Sequence, residues 1–177
     1  MLDSHRAIPE TVTFEEAIAL TQSLLSRIEA GELPPGEIEA AITELVKSEN
    51  GARGFFVTYL PSELTLADNP SPEIVGALQS SPAIVAELLV KNLAMSTAMA
   101  VTHHRNGNEQ MAQGSERVRS RTTRLIQLVE LPAVRELSQK LLESATTGVG
   151  RYKSFLERWG YDAEQRQVIC QAVEQLT

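Results

Sequence analysis

The sequence predicts an all-α protein, a single-domain helical bundle of about seven helices, and three observations carry that prediction. Apolar residues recur at three- and four-residue spacing along most of the chain. Helix-start chemistry (Ser, Thr, Asp or Asn ahead of a Pro or of a Glu three places on) stands before most of these stripes. Strand-like composition occurs in one stretch only, and nothing elsewhere offers it a partner. A length of 177 residues suits one domain with a sizeable core, and 42% hydrophobic with 22% charged residues is ordinary globular composition. Aromatics make up only 5%, so the core has to be built from Leu, Ile, Val and Ala.

The elements follow in order. Residues 1–12 read as a flexible or loosely packed N-terminal segment. Thr13-Phe14-Glu15-Glu16 matches a capping box, after which Phe14, Ile18, Leu25 and Ile28 form a helical stripe that Gly31 stops. Leu33-Pro34-Pro35-Gly36 turns the chain into a second stripe, Ile38, Ala41, Ile42, Leu45 and Val46, with Asn50-Gly51 as its expected end. The phrase Ser71-Pro72-Glu73-Ile74-Val75 is echoed ten residues later by Ser81-Pro82-Ala83-Ile84-Val85. Ser can accept from the free N–H groups of a first helical turn, and Pro at the first position gives up no needed donor. The echo therefore predicts two successive helix starts, a short helix over 72–79 and a long one from 82.

That long helix is apolar nearly all round, which predicts a central or partner-covered position. Glu87, Lys91 and Asn92 interrupt the apolar run at 83–101 and argue against a transmembrane segment. Asn106-Gly107-Asn108 offers a break, although one kinked helix over 82–130 fits as well. Met111, Val118 and Leu125 keep a seven-residue seam in the next helix. Pro132 to about Gly148, Arg151–Trp159 and Ala163–Leu176 complete the set, with Asp162 as an N-cap.

The connection at 51–71 resists this scheme. It is long for a helical domain and carries the densest aromatic cluster, Phe55, Phe56 and Tyr59. A covering loop, an unrecognised helix and an edge completed by another subunit all fit it.

Charge is unevenly placed. Residues 1–50 hold ten acids and three bases, whereas 105–124 hold five bases and two acids, in a chain of net charge −7. Such a balance argues against nucleic acid as a partner, because non-specific affinity comes from neutralising phosphates. It points to a protein partner or a homo-oligomer. The single cysteine, Cys170, and the lack of a basic-then-apolar leader are the grounds for expecting a cytoplasmic or other reducing soluble compartment.

The motifs of chemistry are missing. There is no Glu-x-x-His, His-Glu-x-x-His or Cys-x-x-Cys, and His103 and His104 point about 100° apart on a helix, so no metal and no cofactor are expected. Cys170 lies in an apolar stripe without a basic neighbour. Gly148-Val149-Gly150-Arg151-Tyr152-Lys153-Ser154 has Tyr where a phosphate loop needs Gly.

Two constellations remain. Arg117, Arg121 and Arg124 share one flank of a helix, where they can meet an acidic partner. Asn92, Ser96 and His103 share one face of the apolar helix, where buried polar groups need partners or a small ligand. The sequence thus favours a non-enzymatic interaction or regulatory module, using Phe55, Phe56 and Tyr59 with the Arg117/Arg121/Arg124 flank. The alternative is a small-ligand-binding bundle or helical-bundle enzyme with a pocket near Asn92, Ser96 and His103.

Overall fold

A computed structural model describes residues 12–176 and is all-α, with nine α-helices and one short 3-10 turn among the described residues. The helices are α1 (Phe14–Glu29), α2 (Pro35–Val46), α3 (Glu49–Tyr59), α4 (Pro72–Gln79), α5 (Pro82–Arg105), α6 (Glu109–Val129), α7 (Pro132–Thr147), α8 (Lys153–Arg158) and α9 (Ala163–Glu174). The 3-10 turn is Thr65–Ala67. The backbone groups into two compact units, Met1–Val85 and Ala86–Thr177. The expectation for residues 1–12 falls almost wholly outside the described residues; Val12, the first of them, is buried.

Within the first unit α3 packs against α1 and α2, and α2 packs against α4. The Thr13 capping box forms as expected: the Glu16 N–H donates to Thr13 Oγ1 at 3.1 Å and the Thr13 N–H donates to Glu16 Oε2 at 3.2 Å. Both Ser-Pro pairs open helices, α4 at Pro72 and α5 at Pro82.

The segment 51–71 is where expectation and structure part. Residues 49–59 are helix α3, and α2 ends at Val46, earlier than Asn50-Gly51. The Ser48 hydroxyl accepts from the Gly51 N–H at 3.1 Å and starts the new helix. Two glycines let α3 lie closer to its neighbours than any side chain permits. A Cβ on Gly51 would stand 1.9 Å from the Leu45 carbonyl oxygen, and one on Gly54 would stand 2.4 Å from the Ala17 Cβ. Phe55, Phe56 and Tyr59 then fill the interior, with Phe55 stacked on Tyr59 at 5.0 Å and edge-on to Phe56 at 5.3 Å.

In the second unit the chain breaks between α5 and α6 rather than kinking. The Gly107 N–H donates to the His104 carbonyl at 3.1 Å and the Asn108 N–H to the His103 carbonyl at 2.9 Å. This closing pattern needs the left-handed backbone that Gly107 supplies at φ +68°. Asn108 then caps α6 by accepting from the Met111 N–H. Helix α7 packs on α8 and α9. Buried Gln165 of α9 donates to the Ala98 carbonyl at 3.1 Å and to Thr102 Oγ1 at 2.9 Å, tying α9 to α5. Arg105 forks onto Asp162, at 2.6 and 3.3 Å, and also holds Glu164, so the end of α5 is clasped to the start of α9.

Helix α5 is long and apolar enough to cross a membrane, with a mean hydropathy of 1.5, but 56% of that stretch is buried inside the fold. A core helix has the same composition.

Candidate functional site

The residues expected to meet a partner lie elsewhere than a binding face requires. Phe55, Phe56 and Tyr59 are buried, at most 1% exposed, so they are packing residues of the first unit. They were conspicuous because they are aromatic and adjacent, and burial explains both properties. Arg117, Arg121 and Arg124 do share a flank of α6, but only Arg124 is exposed; Arg117 is half-buried and Arg121 is buried. The flank is thus not an open row of three guanidinium groups. Asn92, Ser96 and His103 all lie on α5. The Ser96 hydroxyl is directed to its own helix, at 2.7 Å from the Asn92 carbonyl and 3.2 Å from that of Leu93. That is the usual way a buried Ser in a helix is satisfied. Among the described residues no group of three or more His, Cys, Asp or Glu side chains is placed to share a metal ion.

A different set of residues converges on a cleft of about 410 Å³ in the second unit. Glu87 and Lys91 come from the first turns of α5 within that unit. Arg151 and Tyr152 come from the loop after α7. Ser154, Phe155 and Arg158 lie on α8, and Trp159 caps its end. The loop is fixed from below. Ser144 of α7 is fully buried, and its Oγ accepts from the Tyr152 N–H at 3.0 Å. This removes the cost of a buried unpaired donor and seats the Tyr152 ring, which is 2% exposed. Phe155 stands edge-on to Tyr152 at 6.2 Å and to Tyr161 at 6.3 Å, so three rings form one packed wall. At the far end Gly160, at φ +63°, turns the chain out of α8 and leaves Trp159 half exposed at 49%.

Polar groups are arranged around one carboxylate. Tyr152 donates its hydroxyl to Glu87 Oε2 at 3.0 Å, and the Arg151 guanidinium donates to the same oxygen at 3.3 Å. The Lys91 ammonium is 3.3 Å from Glu87 Oε1. Burial, and then the adjacent Glu87 carboxylate, push the Tyr152 hydroxyl well above the usual phenol range, which keeps it a proton donor at neutral pH. Burial also pushes Tyr161 up, to about 12.

The cations double as ring partners. Lys91 lies 5.8 Å from the Phe155 centroid, Arg151 lies 5.9 Å from that of Tyr152, and Arg158 lies 5.7 Å from that of Trp159. Arg158 forms no ion pair among the described residues. The lining thus carries three positive groups and one negative. It holds no His or Cys, and its one exposed hydroxyl is that of Ser154. What it can do chemically is hold an anion while a flat or apolar group lies along the aromatic wall.

A family model matches this chain over residues 13–176, and its description is Uncharacterised conserved protein UCP020893. The chain belongs to that family. No curated protein and no solved structure matches the chain. The matched stretch takes in the whole cleft, from Glu87 to Trp159, together with the buried aromatics of α3.

The cleft had a signal in the sequence. Residues 151–161, RYKSFLERWGY, carry four aromatics interleaved with three bases, against three aromatics and no base over 55–59. Of these four aromatics Trp159 is exposed and Phe155 half-buried, while Tyr152 and Tyr161 are buried, so the stretch has one face on the interior and its bases on the surface.

Proposed function

We propose that this protein is a non-catalytic binding module that takes an acidic segment of a protein partner into the cleft of α5 and α8. The observation that carries the reading is Arg158: a guanidinium laid on a half-exposed tryptophan, with no ion pair among the described residues, beside Lys91 and Arg151. Trp, Tyr and Arg are the residue types that dominate binding energy at protein interfaces. A cleft with a surplus of positive charge selects against basic and neutral partners in a chain of net charge −7. Four of its lining residues, Arg151, Ser154, Arg158 and Trp159, are exposed, which supports a surface contact rather than an enclosed small-molecule pocket. The one hydroxyl beside a carboxylate, Tyr152 on Glu87, is held protonated by burial, which favours binding over nucleophilic catalysis.

Trp159 is the only tryptophan, so its emission reports on this cleft. The full chain is titrated with a short oligoglutamate peptide, using oligoglutamine as the neutral control. Saturable quenching or enhancement by the acidic peptide alone, abolished by high salt and by Arg158→Glu, is the expected result. An unchanged emission, or equal binding by the Arg158→Glu protein, overturns the reading.

A further inference from the structure

Taking the cleft as the binding face, we infer that Glu87 is a resident counter-ion occupying the place a partner's carboxylate takes, so that binding proceeds by exchange of one carboxylate for another. Three donors already converge on this group: the Tyr152 hydroxyl at 3.0 Å, Arg151 at 3.3 Å and Lys91 at 3.3 Å. They divide between its two oxygens, Lys91 on Oε1 and the other two on Oε2. That arrangement suits a flat, singly charged carboxylate, which defines the ligand chemistry as Asp or Glu side chains.

The Glu87 side chain keeps 24% of its exposure and swings from a helix, so it can leave without disturbing the backbone. Tyr152, by contrast, is held by packing and by Ser144. Tyr152, Arg151 and Lys91 form the site, and the partly exposed Glu87 carboxylate is its placeholder. Arg158, which Glu87 does not engage, is where an arriving acidic segment makes first contact. Exchange at Arg151 and Lys91 then follows.

A placeholder lowers the apparent affinity by the fraction of molecules in which it is out of the way. Replacing it therefore strengthens binding. Glu87→Gln keeps the side-chain shape and an oxygen for Tyr152, removes one negative charge and releases two cations. It is expected to tighten oligoglutamate binding about threefold to tenfold, in keeping with modest exposed ion pairs. Glu87→Asp retains the charge and stays near the wild-type affinity.

The test is the Trp159 titration with wild-type, Glu87→Gln and Glu87→Asp proteins, each checked for an unchanged circular dichroism spectrum. Tightening by Gln and not by Asp supports exchange. Detectable binding by the Gln protein alone leaves the wild-type chain without the proposed binding face, and overturns exchange with it. Wild-type binding that the Gln change leaves equal or weakens overturns the inference and leaves the binding face standing. No binding by any of the three proteins removes both.

Discussion

Replacing Gly54 with alanine tests the packing that holds the first unit together. Gly54 lies in the middle of α3, where alanine would ordinarily gain up to about 1 kcal/mol in helix propensity. Here the added Cβ would stand 2.4 Å from the Ala17 Cβ and 3.0 Å from both the Ala17 carbonyl carbon and the Ile18 nitrogen. Carbon atoms in contact sit about 3.5–4.0 Å apart, so α1 and α3 have to separate by about 1 Å or more. Ala17 has no rotamer to yield with, and the other two neighbours are backbone. Overpacking of this kind costs about 3 kcal/mol at the upper end of its usual range, leaving a net loss of about 2 kcal/mol.

Gly76 in α4 provides the internal control. Its added Cβ would meet Glu39 Oε1 at 2.9 Å, the far end of a flexible and partly solvated side chain. Glu39 can move away, so Gly76→Ala keeps most of the propensity gain and stabilises by about 0.5 kcal/mol. Urea unfolding followed by circular dichroism reads both, with the two units fitted as separate transitions if the curve demands it. A Gly54→Ala protein as stable as wild type, or one more stable than Gly76→Ala, would falsify the close approach of α1 and α3.

Two pH measurements follow from the second unit. Tyr161, with a folded pKa of about 12 against the ordinary 10.0, and Tyr152, raised further in the same direction, both disfavour ionisation in the folded state. A raised acid contributes stability that is complete below the unfolded value of 10.0 and is lost as pH climbs through the folded one. An ultraviolet tyrosinate titration should find both groups silent until about pH 12, ionising as the unit unfolds; ordinary phenol titration of Tyr152 or Tyr161 would contradict the burial. Asp162 is shifted the other way, below its ordinary 3.8, first by the Arg105 guanidinium and then by the Gln165 N–H. Its contribution is present above 3.8 and disappears as pH falls through the lower folded value. Arg105→Ala should therefore lower the melting temperature slightly at neutral pH, and the gap to wild type should close in strong acid. A gap that is constant with pH would assign the effect to lost packing.

Much of this fold was legible because helix ends are written locally. Thr13, Ser71, Asn108 and Asp162 cap the helices their neighbours predict, and Gly31, Gly107, Gly148 and Gly160 follow helix ends in the left-handed backbone. Each of those signals needs only three or four adjacent residues. Helix α3 was obscure for the opposite reason. Its glycines, poor helix formers, are there to meet Leu45 and Ala17, contacts that exist only after folding. The cleft was obscure in the same way. Glu87 and Tyr152 stand 65 residues apart, and nothing local to either announces the other. What the local sequence does carry is the basic and aromatic mixture of 151–161.

The distribution of charge sets one last condition on the binding proposed for the cleft. Residues 1–85 carry thirteen acids and four bases, net −9, while residues 86–177 carry ten acids and twelve bases, net +2. At a distance an acidic segment meets the repulsion of the whole chain; only at contact does it meet the cations of the cleft. Screening separates the two ranges, because the Debye length falls from about 30 Å at 0.01 M salt to about 10 Å at 0.1 M. Over that interval added salt removes most of the distant repulsion and spares much of the contact attraction. Stopped-flow measurement of Trp159 emission should therefore show the association rate for oligoglutamate rising as salt is first added, while the dissociation rate rises throughout. Arg158→Gln should keep the rise in association and speed dissociation at every salt concentration, since it acts only at contact. An association rate that falls from the lowest salt onward would mean that the positive face, rather than the net charge, governs the approach.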